Sequence, residues 1–164
     1  MRFYQEPGKR PLVLLQHFMC NDRHNANKTA LRPPAPTMSN EKKYDIAVTS
    51  APEFIADQSD PENDHYVFAY TMTIRNTGSV PAQLVSRHWV ITDAEEETQE
   101  VRGLGVVGHQ PLLQPGESFQ YTSGCALPTP VGTMRGTYQM IAEDGTHFEA
   151  DIPEFTLAVP RVLH

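Results

Sequence analysis

From Tyr66 to Arg75 the side chains alternate without a break. Tyr66, Phe68, Tyr70, Met72 and Ile74 make one apolar row, and Val67, Ala69, Thr71, Thr73 and Arg75 make the other. An extended chain turns successive side chains to opposite faces, so a period of two held this long predicts a strand with one face in a core. The same period recurs along the chain. Tyr44, Ile46 and Val48 share one face, with Asp45, Ala47 and Thr49 opposite. Residues 83–92 read as a strand with Trp89 near its middle, although Arg87 shares a face with Val85, Trp89 and Ile91. Phe119, Tyr121 and Ser123 alternate, as do Gly136, Tyr138 and Met140, then Phe148, Ala150 and Ile152, then Phe155, Leu157 and Val159.

Turn signals separate these runs: Asn76-Thr77-Gly78-Ser79, Pro115-Gly116 and Asp144-Gly145. No amphipathic helix and no internal repeat interrupts them. Fourteen prolines and ten glycines agree with short strands and frequent turns. Seven or eight strands in about 115 residues predict an all-β fold, a two-sheet antiparallel sandwich of immunoglobulin-like or fibronectin type III-like form. Tyr66 to Ile74 and Gly136 to Met140 read as central strands. Pro153 has no N–H to give a ladder and marks an edge strand or a bulge.

Charge divides the chain. Residues 1–43 hold eight Lys/Arg and three Asp/Glu, whereas residues 44–164 hold five and seventeen, with no lysine. Residues 1–40 therefore read as a basic extension, expected to be disordered because no period of two or 3.6 persists there. It is read either as an arm that touches a partner or as translated sequence upstream of a start at Met38. Residues 41–164 read as the folded domain. A formal net charge of −7 argues against a general grip on nucleic acid or anionic lipid. The apolar run Leu12-Val13-Leu14-Leu15 is far too short to span a bilayer or serve as a signal peptide. No membrane insertion and a cytoplasmic location are expected. The two cysteines, Cys20 and Cys125, form no CxxC pair, and Cys125 reads as a small buried thiol in a reducing compartment.

Several short runs fall in a characteristic order: Ser86-Arg87-His88-Trp89, then residues 101–108 (VRGLGVVG), then Gln110-Pro111. Residues 113–117 (LQPGE), 121–125 (YTSGC), 132–136 (GTMRG) and 152–155 (IPEF) continue the series. In these motifs the chain from about residue 42 to 164 resembles the ApaG family, the DUF525 domain. The resemblance implies a fibronectin type III-like sandwich with no accepted enzymatic activity and no cofactor. Bacterial members are associated with cobalt resistance and Co²⁺/Mg²⁺ efflux, and their gene often lies near a diadenosine tetraphosphate hydrolase. Eukaryotic relatives carry the domain in an F-box protein and a DNA polymerase delta-interacting protein, where it mediates protein contacts. The run Ala94-Glu95-Glu96-Glu97 departs from the tighter turn usual in the family.

Three constellations bear on chemistry. Gly103, Gly105 and Gly108 spell GxGxxG, but Pro111 and Pro115 follow where a dinucleotide-binding unit needs a helix. What survives is an anion nest of backbone N–H groups beside Arg102, able to take pyrophosphate or a dinucleoside polyphosphate, or simply a tight bend over the sandwich. Asp60, Glu62 and Asp64 have the alternate spacing that opens a calcium loop, yet His65 replaces the required glycine and Thr71 the final glutamate. Weak direct divalent-cation binding or a solvated loop remains. Arg87 and His88 are candidates for an interaction surface.

No GxSxG elbow is present, and nothing places a base beside Ser123 or Cys125. The reading is a non-enzymatic binding module for an unidentified protein partner, with a phosphate-containing ligand or direct metal binding as alternatives. An exposed edge strand could also pair two copies into a homodimer.

Overall fold

The alternating rows become eight antiparallel strands. These are β1 (Ile46–Phe54), β2 (Tyr66–Asn76), β3 (Ala82–Asp93), β4 (Thr98–Leu104), β5 (Leu112–Leu113), β6 (Ser118–Leu127), β7 (Val131–Ala142) and β8 (His147–Ala158). The computed structural model describes residues 42–161, so the expectations for residues 1–40 and Cys20 lie outside the described residues. Two single-turn 3-10 helices, Ala56–Gln58 and Pro61–Asn63, join β1 to β2.

The smaller sheet has the order β1-β2-β6. The larger runs β4-β3-β7-β8, with β5 also on the β4 side of β3. β2 and β7 are central, as their long patterned runs require. Pro153 sits on edge strand β8, and there the register with β7 slips. Met134 faces Phe155 but Gly136 faces Ile152, so Pro153 and Glu154 oppose Arg135. The residue that cannot donate to a ladder lies where the ladder is broken.

A second slip explains the blurred pattern of β3. Leu84 pairs with Met140 but Ser86 with Gln139, leaving Val85 as an extra residue. This bulge changes the phase of the strand. Ala82 and Leu84 point inward before it, Trp89 and Ile91 after it, and all four are buried. Arg87, two residues from Trp89, is thereby turned toward the inner face. Val67, from the row expected to face outward, is buried as well.

Trp89 anchors the contact between the sheets. Its ring meets Tyr70 edge-on at 5.5 Å, Phe155 at 6.0 Å and Tyr138 at 6.3 Å. Such pairs contribute about 0.5–1.5 kcal/mol each beyond the area they bury. Gly136 pairs with Trp89 across β3 and β7, and a Cβ there would stand 2.0 Å from the His88 carbonyl oxygen. Asn76 ends β2 with its side chain buried. Its Nδ2 donates to the carbonyls of Val80 at 2.8 Å and Leu113 at 2.9 Å, and its Oδ1 accepts from the Gly78 N–H at 2.9 Å.

The entry to the domain is tied to the Asp144-Gly145 turn. Tyr44 donates its phenol proton to Asp144, Lys43 Nζ lies 3.1 Å from the same carboxylate, and the Thr146 N–H donates to it at 3.0 Å. The Tyr44 ring packs on Phe148 at 5.5 Å. The Tyr44 hydrogen bond, then those from Thr146 and Lys43, hold the Asp144 carboxyl well below the usual carboxylate range.

Two outcomes follow for stability. Gly136→Ala drives a methyl into backbone that cannot give, and is expected to cost about 3 kcal/mol or more in urea unfolding. Gly116→Ala, with φ at +83° but open space around it, is expected to cost about 1–2 kcal/mol from backbone strain alone. Equal costs would contradict the close approach of β3 and β7. Because folding lowers the Asp144 value, its contribution is complete above the unfolded carboxylate range near about pH 3.9 and fades as pH falls below it. Wild type is expected to exceed Asp144→Asn in stability at neutral pH, with the gap closing on acidification. A gap that widens in acid would refute the clasp.

Candidate functional site

The glycine motif straddles the end of β4 and the loop before β5. Gly103 faces Arg87 across the β3–β4 ladder, and a Cβ on it would lie 3.0–3.1 Å from the guanidinium. The missing side chain is the space that the guanidinium fills. Arg87 Nη1 then donates to the carbonyls of Leu104 at 3.1 Å and Gly105 at 2.6 Å. Gly105 has φ +59°, and a Cβ there would meet the His109 carbonyl oxygen at 2.3 Å.

Val107 (φ +44°) and Gly108 (φ +80°) are the central pair of a tight hairpin turn. Val106 and His109 exchange N–H to O bonds of 2.8 and 2.9 Å around it. A branched residue at positive φ is strained by about 1–3 kcal/mol. Here Val106, fully buried, and Val107, packed on the core, hold the turn in place. His109 stacks near Phe119 at 6.0 Å and links the loop to β6.

These bonds decide what the loop can offer. The N–H groups of Gly105, Val106 and His109 donate to the backbone oxygens of Val85, His109 and Val106. The nearest guanidinium, that of Arg87, is bound to carbonyls. Arg102 points elsewhere, with its Nη2 3.5 Å from Glu100. Each glycine therefore has a steric or dihedral reason, and three of the run's N–H donors are committed to backbone carbonyls.

Arg87 and His88, read as one surface, lie on opposite faces of β3. Arg87 is directed inward, where the buried Tyr121 and Tyr138 hydroxyls share a 2.7 Å hydrogen bond. Burial pushes Tyr70 up to about 12 and also raises Tyr121 and Tyr138, so these phenols stay protonated. His88 points outward from the larger sheet, and its Nε2 lies 2.8 Å from Glu100. That hydrogen bond is the main reason the Glu100 carboxyl is held below its usual range.

His88 lines a groove of about 270 Å³ on the outer face of the larger sheet. Val90 gives it an apolar wall, and Arg135, Thr137, Asp151 and Glu154 give it polar ones. The β7–β8 slip at Arg135 and Pro153 shapes its middle. The sequence reading missed all of these except His88. Their common signal is the polar phase of strands whose other phase is apolar, but only strand order and register bring them together.

The remaining candidates are dispersed. Asp60 accepts from Asn63 Nδ2 at 2.6 Å and pairs with His65 through backbone, and Asp64 caps a 3-10 turn at φ +52°. Among the described residues no group of three His, Cys, Asp or Glu side chains could hold a metal ion. Asp60, Glu62 and Asp64 are thus not drawn into a ligand set. Glu95 and Glu97 give their N–H groups to Asp93 Oδ1, which organises the acidic turn. Cys125 is buried against Met134 Sδ at 3.8 Å, and desolvation pushes its thiol up to about 12.

A family model described as the ApaG domain matches residues 56–142. Protein ApaG of Dechloromonas aromatica is 73% identical over 127 residues, covering 77% of this chain and 100% of the relative. Protein ApaG of Thiobacillus denitrificans is 65% identical over the same length, with the same coverage. A crystal structure of a Bordetella pertussis protein designated ApaA matches with a TM-score of 0.72 at 63% identity, over 74% of this chain and 99% of that one.

The Arg87 clamp is tested by a double-mutant cycle. Gly103→Ala is expected to displace the guanidinium and cost about 1.5–3 kcal/mol, the range of a hydrogen bond to a charged group. In an Arg87→Ala background most of that cost is expected to vanish. Additive costs in denaturant unfolding would contradict the clamp.

Proposed function

This chain belongs to the ApaG family, and from that premise we propose that it is a non-enzymatic binding module whose partner is another protein. The observation that carries the reading is the outer-face groove. An apolar wall at Val90 beside donors, acceptors and charges of both signs suits a polypeptide segment better than a small anion. The groups that could serve as nucleophiles are placed for packing. The Cys125 thiol is held protonated, and Ser123 is buried and hydrogen-bonded to Tyr70.

A role in cobalt resistance and Co²⁺/Mg²⁺ homeostasis, which the family resemblance suggests, then runs through the partner. Two observations support the indirect route. No described helix is long and apolar enough to cross a membrane, and no described cluster of donors suits a metal. We place this activity in the cytoplasm.

Thr137→Arg fills the groove from its wall and leaves the core untouched. Returned to a deletion strain, wild type is expected to restore cobalt tolerance, whereas a folded Thr137→Arg protein is not. Affinity capture is expected to lose the same partner with that variant. Full rescue by Thr137→Arg, with an unchanged set of captured proteins, would overturn the groove as the contact surface.

A further inference from the structure

The free edge of β4 is self-complementary, and we infer that it pairs with β4 of a second copy about a two-fold axis at Val101. Backbone parity comes first. The hairpin closes with the Asp93 N–H on the Glu97 carbonyl, and the ladder ends with the Gly105 N–H on the Val85 carbonyl. In the intervening register Trp89 faces Val101 and Arg87 faces Gly103. Bonded pairs alternate in an antiparallel ladder, so Gln99, Val101 and Gly103 turn their backbone groups toward β3. Those of Thr98, Glu100 and Arg102 turn away, and among the described residues no strand lies against them.

The side chains follow the same arithmetic. Thr98, Glu100, Arg102 and Leu104 are the exposed residues of β4. Antiparallel pairing centred on Val101 places Glu100 opposite Arg102 of the second copy, in a pair that exchanges backbone hydrogen bonds. It places Thr98 opposite Leu104. Opposite charges directly across a ladder attract, and here the symmetry makes the contact twice. Glu100 and Arg102 side chains are 57% and 72% exposed. Glu100 meets His88 at 2.8 Å and its own Arg102 at 3.5 Å through Oε2, which leaves Oε1 for Arg102 of the second copy. Leu104 is 77% exposed, more than the other exposed large apolar side chains, Leu112 and Val131, and gains cover from the second copy.

On the other face Val101 meets Val101 of the second copy at the axis, and Gln99 opposite Gly103 leaves room on either side of it. The edge carries no lysine and no proline, and its register with β3 is unbroken from Ser86 opposite Leu104 to Thr92 opposite Thr98, so the exposed side of the strand is regular. Pairing would join two larger sheets into one of twice the width, with both grooves on the same side. This inference does not depend on the identity of the groove's partner.

The test uses the full chain in sedimentation equilibrium across the micromolar to millimolar range. Wild type is expected to reach twice the 18.4 kDa of one chain. Glu100→Arg makes both charges positive and Arg102→Glu makes both negative. Each alone is expected to weaken association by about tenfold or more. Mixing the two restores opposite pairs in a heterodimer, so association is expected to return in the mixture. The double variant E100R/R102E is expected to dimerise by itself. Circular dichroism confirms folding of each variant.

Amide exchange supplies a second readout. The N–H groups of Glu100 and Arg102 are expected to gain protection as concentration rises. A monomer throughout the range, a dimer indifferent to both swaps, or no rescue on mixing would overturn the proposal. The first of these would leave the edge open to a strand from a different protein.

Discussion

A single cation at the rim of the core organises the surface this protein presents. Arg87 turns inward because the Val85 bulge changes the phase of β3. Its guanidinium then fills the space that Gly103 leaves empty and binds the carbonyls of Leu104 and Gly105. Hydrogen bonds to a charged donor are worth about twice neutral ones, and here they fix the point where β4 leaves the sheet. The strained turn at Val107, the fully buried Val106 and the His109–Phe119 contact all lie downstream of that point. A glycine-rich run that could have been a mobile phosphate loop is therefore a braced corner between the two sheets.

Much of this fold was legible in the sequence, and the reasons are local. The Tyr66–Ile74 row required a central strand, the Asp144-Gly145 pair required a hairpin, and Pro153 required an edge or a bulge. All three are present. What could not be read was phase. One extra residue at Val85 inverts the facing of everything after it, so alternation put Arg87 on the face of Trp89 and Ile91 but could not carry that phase back to Ala82 and Leu84. The groove was illegible for a related reason. Thr137, Asp151 and Glu154 are ordinary outward polar residues until the register places them beside His88. Gly103 was read as part of an anion loop or a tight bend, and the residue it makes room for, Arg87, lies sixteen positions away in the sequence.

The two proposed surfaces differ in the chemistry they offer. The groove on the outer face of the larger sheet offers side-chain chemistry, and the edge of β4 offers backbone hydrogen bonds with a built-in charge pattern. Both rest on a core centred on Trp89, in which Cys125 and three tyrosines are held in their protonated forms by burial.

The central claim is that the glycine corner is an internal brace, with the Arg87 guanidinium and the N–H groups of Gly105, Val106 and His109 committed to backbone carbonyls. A titration of the full chain with inorganic pyrophosphate, followed by amide chemical shifts, tests it most directly. The account predicts that Gly103, Gly105 and Gly108 stay unmoved into the millimolar range. Saturable shifts confined to these amides and the Arg87 guanidinium would contradict it.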